Sequence, residues 1–415
     1  MSTRKIVVVG GGAAGYFAAI TCAEAAPETE VVILEATAHP LAKVKVSGGG
    51  RCNVTHACFE PRELVKRYPR GSRELLGPFH QWQPRDTVAW FERRGVALKT
   101  EEDGRMFPTT DSSQTIIDCL QTAAANAGVD LRTRCGLVTA ERTAAGGFRL
   151  ELTAGETLEC DALLLATGGN RSSAGFAVAE KMGHTVEPLA PSLFTFHVAD
   201  PRLQDLSGIA VADTVASVAG SKLSERGPTL ITHWGLSGPA ILRLSAWGAR
   251  ELQAREYRFP LVLNWAGGRS VEQVRADLVQ LRATYPRRQI GTNGGFGIPL
   301  RLWERLVVAA GLKLDTIWTS VSNALLGNLA AQLAAGEFTV SGKSMNKEEF
   351  VTCGGIRLGE IDFKTMQSRR CPGLFFAGEV LDIDGITGGF NFQAAWTTGY
   401  LAGRALAAFS LVGRA

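Results

Sequence analysis

A chain of 415 residues, 45% of them hydrophobic, is long enough for at least two globular domains with buried cores. Its 44 Lys and Arg are nearly balanced by 40 Asp and Glu, which argues against a dedicated nucleic-acid surface or a polybasic membrane anchor. The cysteines include no C-x-x-C pair, which argues against structural zinc and a disulfide framework and favours a reducing compartment. No apolar run has the length of a membrane span, so we expect a cytoplasmic protein without membrane association.

The sequence begins with a pattern typical of a dinucleotide-binding βαβ unit. The stretch KIVVVGGGAAGYFAAI predicts a buried strand over 6–9, a tight turn and an alanine-rich helix. Gly10, Gly12 and Gly15 have the spacing in which the first glycine turns the chain, the second admits a pyrophosphate and the third lets helix and strand pack closely. A second strand, EVVILE, ends at Glu35, whose carboxylate could bind a ribose diol. Strands, helix and acid together predict a nucleotide site.

A second glycine cluster follows in the stretch ATAHPLAKVKVSGGGRCNVT, which we expect to be a loop. Gly48, Gly49 and Gly50 would let backbone amides approach a ribityl chain or a flavin ring where a Cβ would clash. Arg51 and Asn53 could add side-chain donors. A simple nicotinamide dehydrogenase would continue into regular βα units here, so this loop favours a flavin cofactor. The alternative is a glycine-rich surface loop.

The far end of the sequence repeats the strand, turn and helix pattern. The stretch GLFFAGEVLDIDGITGGFNFQAAW predicts a buried strand over 374–377 and a long helix from near Phe390. Glu379 at the strand end could hold a ribityl hydroxyl. The helix that follows Gly388 and Gly389 could direct its free N–H groups at the flavin and favour the anionic reduced ring. A plain core strand and helix, the alternative, would leave these glycines without a role.

One further strand connects these two ends. The stretch DALLLATGGN predicts a buried strand with a Thr-Gly-Gly end at 167–169, typical of the point where a flavoprotein strand meets its cofactor. The two ends of the sequence are therefore expected to build one domain, and the segment between them to be an insertion.

The motifs GGGAAG, KVSGGGRCNVT, LLLATGG, THWGLSGPAIL, VTCGGI and FAGEVLDIDGITGGFNFQAA occur in the order found in one family of bacterial FAD-dependent oxidoreductases. The chain resembles this family, which includes the aminoacetone oxidases and the BaiN-like bile-acid reductases, over nearly its whole length. The resemblance implies an α/β fold: a discontinuous, Rossmann-like FAD-binding domain over 1–190 and 351–415. It is interrupted by an insert over 191–350, with a β-barrel-like part and a small helical part facing the flavin.

The candidate cofactor-binding residues lie in the glycine-rich and acidic stretches described above, and no metal ligands are expected. They are Gly10, Gly12, Ala13, Ala14, Gly15, Glu35, Ala36, Lys43, Ser47, Gly48, Gly49, Gly50, Arg51, Cys52, Asn53, Thr167, Gly168, Gly169, Gly378, Glu379, Gly388, Gly389, Phe390 and Asn391.

The middle segment supplies little catalytic chemistry. The stretch DTVASVAGSKLSERGPTLITHWGLSGPAIL predicts short alternating strands, whereas SVEQVRADLVQLRATY and PLRLWERLVVAAG predict helices. His233 is a candidate catalyst there, although a lone histidine is more often structural. Cys52 is a second candidate, although a lone cysteine is more often a small apolar filler. No G-x-S-x-G elbow supports a serine hydrolase.

These observations predict an FAD-dependent oxidoreductase that transfers a hydride through flavin N5. No second G-x-G-x-x-G follows a strand, so the flavin is reduced either by transiently docked NAD(P)H or by the substrate itself, with oxygen as acceptor. The hydride thus passes between NAD(P)H or a small organic substrate, an amine or an enone, and an acceptor. A disulfide reductase is disfavoured because five residues, one more than in that enzyme class, separate Cys52 from Cys58. The alternatives are an FAD-containing tRNA-modifying or RNA-binding protein, which the balanced charge counts against, and a flavin sensor without turnover.

Overall fold

The computed structural model describes residues 4–292, 294–344 and 351–410. The chain divides into two compact units, Met1–Ala190 with Lys347–Ala415, and Pro191–Asn346. Among the described residues, no helix is both long enough and apolar enough to cross a membrane.

The first unit contains strands from both parts of the chain. They are β1 (Lys5–Val9), β2 (Glu30–Leu34), β3 (Thr55–His56), β4 (Leu98–Thr100), β5 (Arg105–Pro108), β6 (Asp130–Arg132), β7 (Leu137–Arg142), β8 (Phe148–Leu152), β9 (Thr157–Cys160), β10 (Ala162–Leu165), β11 (Val186–Ser192), and later β19 (Val351–Ile356), β20 (Ile361–Asp362), β21 (Gln367–Ser368) and β22 (Leu374–Phe376). Its helices are α1 (Ala13–Ala25), α2 (Ala42–Gly50), α3 (Pro61–Leu64), α4 (Ser72–Gln81), α5 (Pro84–Glu92), α6 (Ser113–Asn126), α7 (Ala174–Lys181) and α13 (Phe390–Ala408).

A seven-stranded sheet in the order β20-β21-β22-β10-β1-β2-β6 organises the first unit. The five strands from β22 to β6 are parallel. Strands β1, β2 and β10 are almost wholly buried, as expected for β-branched and leucine-rich strands covered on both faces. This sheet is the predicted Rossmann-like core, and β22 comes from the distant second part of the chain, as predicted.

Helices α1 and α13 pack against each other through small residues that the sequence analysis left without a role. A Cβ at Gly399 would lie 2.7 Å from the carbonyl oxygen of Ala14, and one at Gly403 would lie 2.5 Å from that of Ala18. Only glycine permits this approach of the two backbones. The first and last helices of the first unit are therefore joined face to face.

The second unit contains a sheet and a set of helices. Its strands are β12 (Thr195–His197), β13 (Ala210–Val218), β14 (Ser224–Thr232), β15 (Gly235–Ser237), β16 (Phe259–Asn264), β17 (Gly336–Val340) and β18 (Gly342–Ser344). Its helices are α8 (Pro239–Trp247), α9 (Ala249–Ala254), α10 (Val271–Thr284), α11 (Leu300–Ala309) and α12 (Asn323–Ala334).

The sheet of the second unit is antiparallel and curls into a barrel-like form. Its order is β17-β16-β13-β14-β15-β12-β18, so β17 and β18 are its two edges. Only Ser341 separates these strands along the chain, so the edges must come together. The sheet and helices α10–α12 share one hydrophobic core, which includes the fully buried Trp265, Trp303 and Trp318. A barrel-like part and a small helical part are thus both present.

Two local predictions were wrong. The stretch GPAIL, predicted as strand, begins helix α8, with Pro239 at the first helical position, where its missing N–H costs no hydrogen bond. The stretch before the second glycine cluster, predicted as loop, is helical from Ala42 until the chain becomes extended at Ser47. Short apolar runs and alternating Lys and Val do not distinguish helix from strand by periodicity.

A buried polar cluster in the first unit joins His184 to the β20–β21 hairpin. Its imidazole Nδ1 donates to Glu360 Oε2 at 3.1 Å, since a carboxylate only accepts, and its Nε2 accepts from the Ser368 hydroxyl at 2.8 Å. The imidazole is therefore fully bonded in its neutral form. Burial holds the pKa of His184 below its ordinary value of 6.5.

This cluster predicts a loss of stability in mild acid. Below pH 6.5 His184 takes up a proton more readily in the unfolded chain than in the folded chain, so the free energy of unfolding should decrease as the pH falls, by at most about 1.4 kcal/mol per pH unit. His184→Gln keeps one donor and one acceptor but removes the titration. Denaturant unfolding between pH 7 and 5 should therefore give a flatter profile for this variant, and parallel profiles would contradict the assignment.

Candidate functional site

The carboxyl ends of four neighbouring parallel strands meet at one edge of the first unit's sheet. Strands β22, β10, β1 and β2 lie side by side in that order. They are followed by Ala377, Ala166, Gly10 and Glu35. Ligands of open parallel sheets bind at this edge because the loops and helix N-termini gather there. Four of the stretches that were predicted to bind the cofactor therefore lie at the same edge of the sheet.

The turn after β1 contains the three glycines of the predicted motif. Two of them have no room for a Cβ, whereas the space beside the third is empty of protein atoms. Gly10 has φ +111°, and its Cβ would lie 2.3 Å from the carbonyl oxygen of Ala166. A Cβ at Gly15 would lie 2.0 Å from the carbonyl oxygen of Gly10. A Cβ at Gly12 would meet nothing within 4 Å.

Helix α1 begins directly after Gly12, at Ala13 and Ala14, with no capping side chain and no acidic residue in its first turn. Its first N–H groups lack acceptors within the helix and carry a partial positive charge. With open space over Gly12, they form an anion-binding position suited to a pyrophosphate.

Glu35 is held over this turn by the protein backbone. Its Oε2 accepts a hydrogen bond from Gly11 N at 2.9 Å, and its Oε1 accepts from Thr37 N at 2.8 Å. Oε1 also accepts from the Thr37 hydroxyl at 2.8 Å, so Oε2 is the oxygen with a further lone pair for a ligand hydroxyl. Gly11, which had no role predicted for it, thus positions the Glu35 carboxylate. The neighbouring Ala36 is exposed.

The second glycine cluster contains three consecutive residues in the left-handed region. Gly48, Gly49 and Gly50 have φ of +59°, +68° and +83°. Side-chain-bearing residues adopt this conformation only at a cost, and three in succession is a glycine feature. A Cβ at Gly49 or Gly50 would meet nothing within 4 Å. The backbone there is open to a ligand, and Ser47, whose hydroxyl donates to Val44 O, sets the bend before it.

The two predicted side-chain donors of this loop contact other parts of the protein. The Arg51 guanidinium lies 2.7 Å from Glu101 Oε1 and 4.0 Å above the Phe107 ring, so it anchors the loop. The Asn53 amide, oriented to satisfy its neighbours, donates to Thr55 O and accepts from Gly389 N, both at 3.0 Å. Asn53 therefore joins the glycine loop to the start of α13.

Cys52 is fully buried within this loop. Burial raises the pKa of its thiol to about 12, so a thiolate is strongly disfavoured at neutral pH. The geometry fits an apolar filler better than a nucleophile.

Cys52→Ser should therefore keep both cofactor and turnover. Serine is nearly isosteric with cysteine, so we expect unchanged FAD content and a rate of flavin reduction within about twofold of the native protein, at a stability cost of about 1 to 2 kcal/mol for the buried hydroxyl. The measurement is a flavin-to-protein ratio together with stopped-flow reduction. Full FAD content with a collapsed reduction rate would instead assign the thiol to the chemistry.

The ends of β10 and β22 are connected through Glu379. Its Oε1 accepts from Thr352 N at 2.8 Å, and its Oε2 accepts from Lys43 Nζ at 2.5 Å. The Thr352 hydroxyl in turn donates to Gly169 O at 2.9 Å. Thr352 was not among the residues predicted for the site, although it lies in VTCGGI, one of the family motifs. Thr167 and Gly168 follow β10 at the same edge, and Gly378 has φ +75°.

Helix α13 begins at Phe390 with Gly389 as its N-cap and no side-chain cap. Gly388 and Gly389 have φ of +132° and +90°, and a Cβ at Gly389 would lie 2.6 Å from the carbonyl oxygen of Thr55. Asn391 turns back to bond Gly385 through both ends of its amide. The first N–H groups of this helix are therefore held rigidly at the site.

His233, the other candidate catalyst, belongs to the second unit. It is exposed in the second unit, between β14 and β15. Within the described ranges, no group of three or more His, Cys, Asp or Glu side chains is arranged to hold a metal ion.

A parallel sheet with a glycine-lined edge, an open helix N-terminus and an acid at the second strand defines a Rossmann-type nucleotide-binding enzyme, here an FAD-dependent oxidoreductase. The chain belongs to the family described as HI0933-like protein Rossmann domain, whose model matches residues 4–405.

Relatives of known name cover almost the whole chain. The ribosomal RNA dihydrouridine synthase of Escherichia coli is 30% identical over 409 residues, covering 96% of this chain and 97% of that protein. The 3-dehydro-bile acid delta(4,6)-reductase of Clostridium scindens is 29% identical, covering 97% of this chain and 99% of that protein.

Solved structures show the same fold at low sequence identity. The 3-ketosteroid-delta4-(5alpha)-dehydrogenase of Rhodococcus jostii has a TM-score of 0.52 and 14% identity and covers 97% of both chains. The 3-ketosteroid delta1-dehydrogenase of Sterolibacterium denitrificans has a TM-score of 0.53 and 12% identity, covering 98% of this chain and 100% of that chain.

Proposed function

We propose that FAD lies along the glycine-lined edge of the first unit. The α1 N-terminus at Gly12 would bind the pyrophosphate, and Glu35 would bind the adenosine ribose. Gly49 and Gly50 would lie against the ribityl chain or the ring. The open space that a Cβ would occupy at Gly12, Gly49 and Gly50 supports this arrangement, because each position can receive a ligand without displacing protein atoms.

The start of α13 would contact the flavin ring in this arrangement. Its N-terminal partial positive charge favours a negative charge on a bound group. The Asn53 bond to Gly389 fixes that helix end to the glycine loop, so the two proposed ring contacts move together. Glu379 would offer its remaining lone pairs to a ribityl hydroxyl, whereas Arg51 would act only by anchoring the loop to Glu101.

We propose further that the enzyme reduces a carbon–carbon double bond conjugated to a carbonyl. One observation carries this proposal: the names of the two relatives above share that chemistry. Dihydrouridine is uridine with the conjugated double bond of its ring saturated, and the bile-acid reductase acts on a 3-dehydro steroid. FAD would relay the two electrons as a hydride.

The reaction balances with NAD(P)H as the reductant. NAD(P)H loses a hydride and becomes NAD(P)⁺, while the double bond gains that hydride at one carbon and a proton at the other. The proton must come from a protein group or from water. Cys52 could not supply it, because burial raises the pKa of its thiol to about 12.

The test is anaerobic mixing of the FAD-loaded protein with NADH, with NADPH and with aminoacetone. We expect a nicotinamide to bleach the flavin, and a conjugated enone or a uridine-containing RNA to restore the oxidised spectrum. Bleaching by aminoacetone but by neither nicotinamide would assign an amine oxidase instead.

A second candidate is reduction of a uracil base within RNA. The uneven distribution of charge in the second unit favours this candidate. The nearly balanced total charge of the chain does not reveal that distribution. Basic side chains outnumber acidic ones in the helical part, where they are Arg269, Arg275, Arg282, Arg287, Arg288, Arg301, Arg305 and Lys313. RNA affinity that falls steeply with added salt would support this candidate, and a flat dependence would dispose of it.

A further inference from the structure

A groove of about 590 Å³ lies within the first unit, between helix α4 and the β20–β21 hairpin. Its volume falls in the range of about 300 to 1,000 Å³ that small-molecule sites occupy. The proposed position of FAD uses none of the residues that line this groove. The groove is therefore a second concave site in the same unit.

Both walls of the groove are attached to the segment that leads into helix α13. On the helix side, a Cβ at Gly71 would lie 2.6 Å from Ile383 Cγ1, so the start of α4 rests directly on this segment. On the hairpin side, Asp382 N donates to the Ile356 carbonyl oxygen at 3.1 Å. The segment continues to Gly389, the N-cap of α13. The segment that joins the two walls therefore ends at the proposed position of the flavin ring.

The turn of the hairpin lies on the cofactor side of the sheet. Strand β21 is antiparallel to β22, with Gln367 opposite Phe375, and Phe376 N donates to the Met366 carbonyl oxygen at 3.0 Å. The carboxyl end of β22 is at the cofactor edge, so an antiparallel neighbour must begin there. Residues 363–366, which precede β21, are therefore near that edge.

Two exposed cations line the groove from its opposite walls, Arg73 on α4 and Lys364 on the hairpin. Within the residues that the structure describes, neither side chain forms an ion pair. A third cation, Arg369, donates to the Ile361 carbonyl oxygen at 3.0 Å. A guanidinium can bind one phosphate through two N–H groups, and an ammonium adds a point charge. The pair of Arg73 and Lys364 is therefore suited to a phosphate group.

Two carboxylates also line the groove. Asp362 is bound within the hairpin, where its Oδ1 accepts from Lys364 N at 3.1 Å and lies 3.8 Å from a guanidinium nitrogen of Arg369. Glu74 follows Arg73 on α4 and offsets part of its charge. Three cations against two carboxylates leave the groove positive, with an affinity for anions that is moderate. Moderate affinity suits a reductant that must leave after every turnover.

The groove also has room for a planar ring. Phe363, a half-buried residue at the hairpin turn, lines it opposite Pro78 of α4. A Cβ at Gly77 or at Gly359 would meet nothing within 4 Å, so the backbone of both walls is open to a ligand. A purine base stacks on the face of a phenyl ring. A position for a phosphate and a position for a base in one groove together fit a nucleotide.

We propose that this groove binds the adenosine end of NADPH, with Arg73 and Lys364 at the 2′-phosphate and Phe363 against the adenine. This inference rests on the proposed function, in which NAD(P)H reduces the flavin. It selects NADPH over NADH, because NADH has no 2′-phosphate for the two cations to bind. The nicotinamide end extends along the segment that leads to Gly389. The reductant thus needs no glycine-rich domain of its own.

The experiment measures binding to the oxidised FAD-loaded protein, in which the adenosine site of FAD is already filled. The probes are 2′,5′-ADP and 5′-ADP, which lacks the 2′-phosphate. Native protein should bind 2′,5′-ADP at least about tenfold more tightly than 5′-ADP. Arg73→Ala and Lys364→Ala should each weaken 2′,5′-ADP about tenfold and leave 5′-ADP unchanged, since each removes a charge-assisted hydrogen bond to the 2′-phosphate. Phe363→Ala should weaken both probes about tenfold.

Arg404→Ala is the matched control, because Arg404 is another exposed arginine on a helix of the first unit and does not line the groove. It should bind both probes as the native protein does. Equal affinity of the native protein for the two probes, or no binding of either, would overturn the proposal. So would unchanged 2′,5′-ADP binding in Arg73→Ala and Lys364→Ala, or an equal loss in Arg404→Ala.

Reduction with dithionite separates this inference from the proposed function, because dithionite reduces the flavin without a nicotinamide. If the dithionite-reduced protein is reoxidised by neither an enone nor a uridine-containing RNA, the proposed reaction is rejected, and the expected 2′,5′-ADP binding still supports the groove. If an enone reoxidises it but the native protein does not prefer 2′,5′-ADP, the groove is rejected and the reaction stands.

Discussion

Gly12→Val should yield a folded but colourless protein. The native φ of −92° suits valine, and its Cβ would meet no protein atom within 4 Å, so the fold should lose no more than about 1 kcal/mol at this helix N-cap. The same branched side chain would fill the space over the α1 N-terminus where the pyrophosphate is proposed to bind. Losing even two charge-assisted hydrogen bonds costs about 3 kcal/mol or more, so FAD affinity should fall at least about a hundredfold.

Gly327→Val is the matched control. Gly327 lies in α12 of the second unit, and a Cβ there also meets nothing within 4 Å. The flavin-to-protein ratio after purification and the rise in melting temperature with added FAD should be native in this control and nearly absent in Gly12→Val. A yellow, fully loaded Gly12→Val protein would falsify the proposed pyrophosphate position.

Arg70→Met should destabilise the first unit severely. The guanidinium of Arg70 forms a two-pronged ion pair with Asp384, whose side chain is completely buried. Removing the arginine leaves that carboxylate in the interior without this cation, and breaking a buried pair from one side typically costs about 3 to 5 kcal/mol. Denaturant unfolding should show this loss, accompanied by weaker FAD retention, because Asp384 precedes the glycines that start α13.

The double variant Arg70→Met with Asp384→Leu is the control for that result. With both charges gone, neither member of the pair leaves the other's charge buried without its counterion, and apolar replacements of buried pairs are often nearly neutral. We expect the double variant to recover most of the lost stability. A double variant as unstable as Arg70→Met would show that side-chain shape, rather than the unpaired charge, determines the cost.

Local patterns predicted the elements that border the site. The strand at Lys5–Val9, the helix after Gly12 and the long helix from Phe390 follow from hydrophobic periodicity and glycine placement, which depend only on neighbouring residues. The positive φ of Gly48 to Gly50 was also implied by composition, because three glycines in succession suit a conformation that other residues avoid.

Contacts between distant residues could not be predicted in this way. Lys43 and Glu379 were both candidate cofactor residues, yet nothing in the sequence indicated that they would pair with each other. The same holds for Asn53 with Gly389, and for Arg51, which turns to Glu101 instead of remaining a free donor. Such pairs depend on how the sheet brings loops together, and side-chain type alone does not specify a partner.

Charge distribution illustrates the same difficulty on a larger scale. A nearly balanced total counted against nucleic acid as a partner, but a total carries no information on position. The basic excess of the helical part of the second unit becomes meaningful only once helices α10–α12 are known to form one part of the fold.

The pairing of α1 with α13 has a consequence for the order in which the protein folds during translation. The ribosome completes the whole second unit before it makes β22 and α13. Until then β10 has no neighbour on one side, and the surface of α1 that receives Gly399 and Gly403 has nothing to cover it. Domains generally fold as units when their residues emerge, so the second unit folds first. The nascent first unit exposes apolar surface for that interval, and its cofactor edge is completed only when the last helix closes on the first.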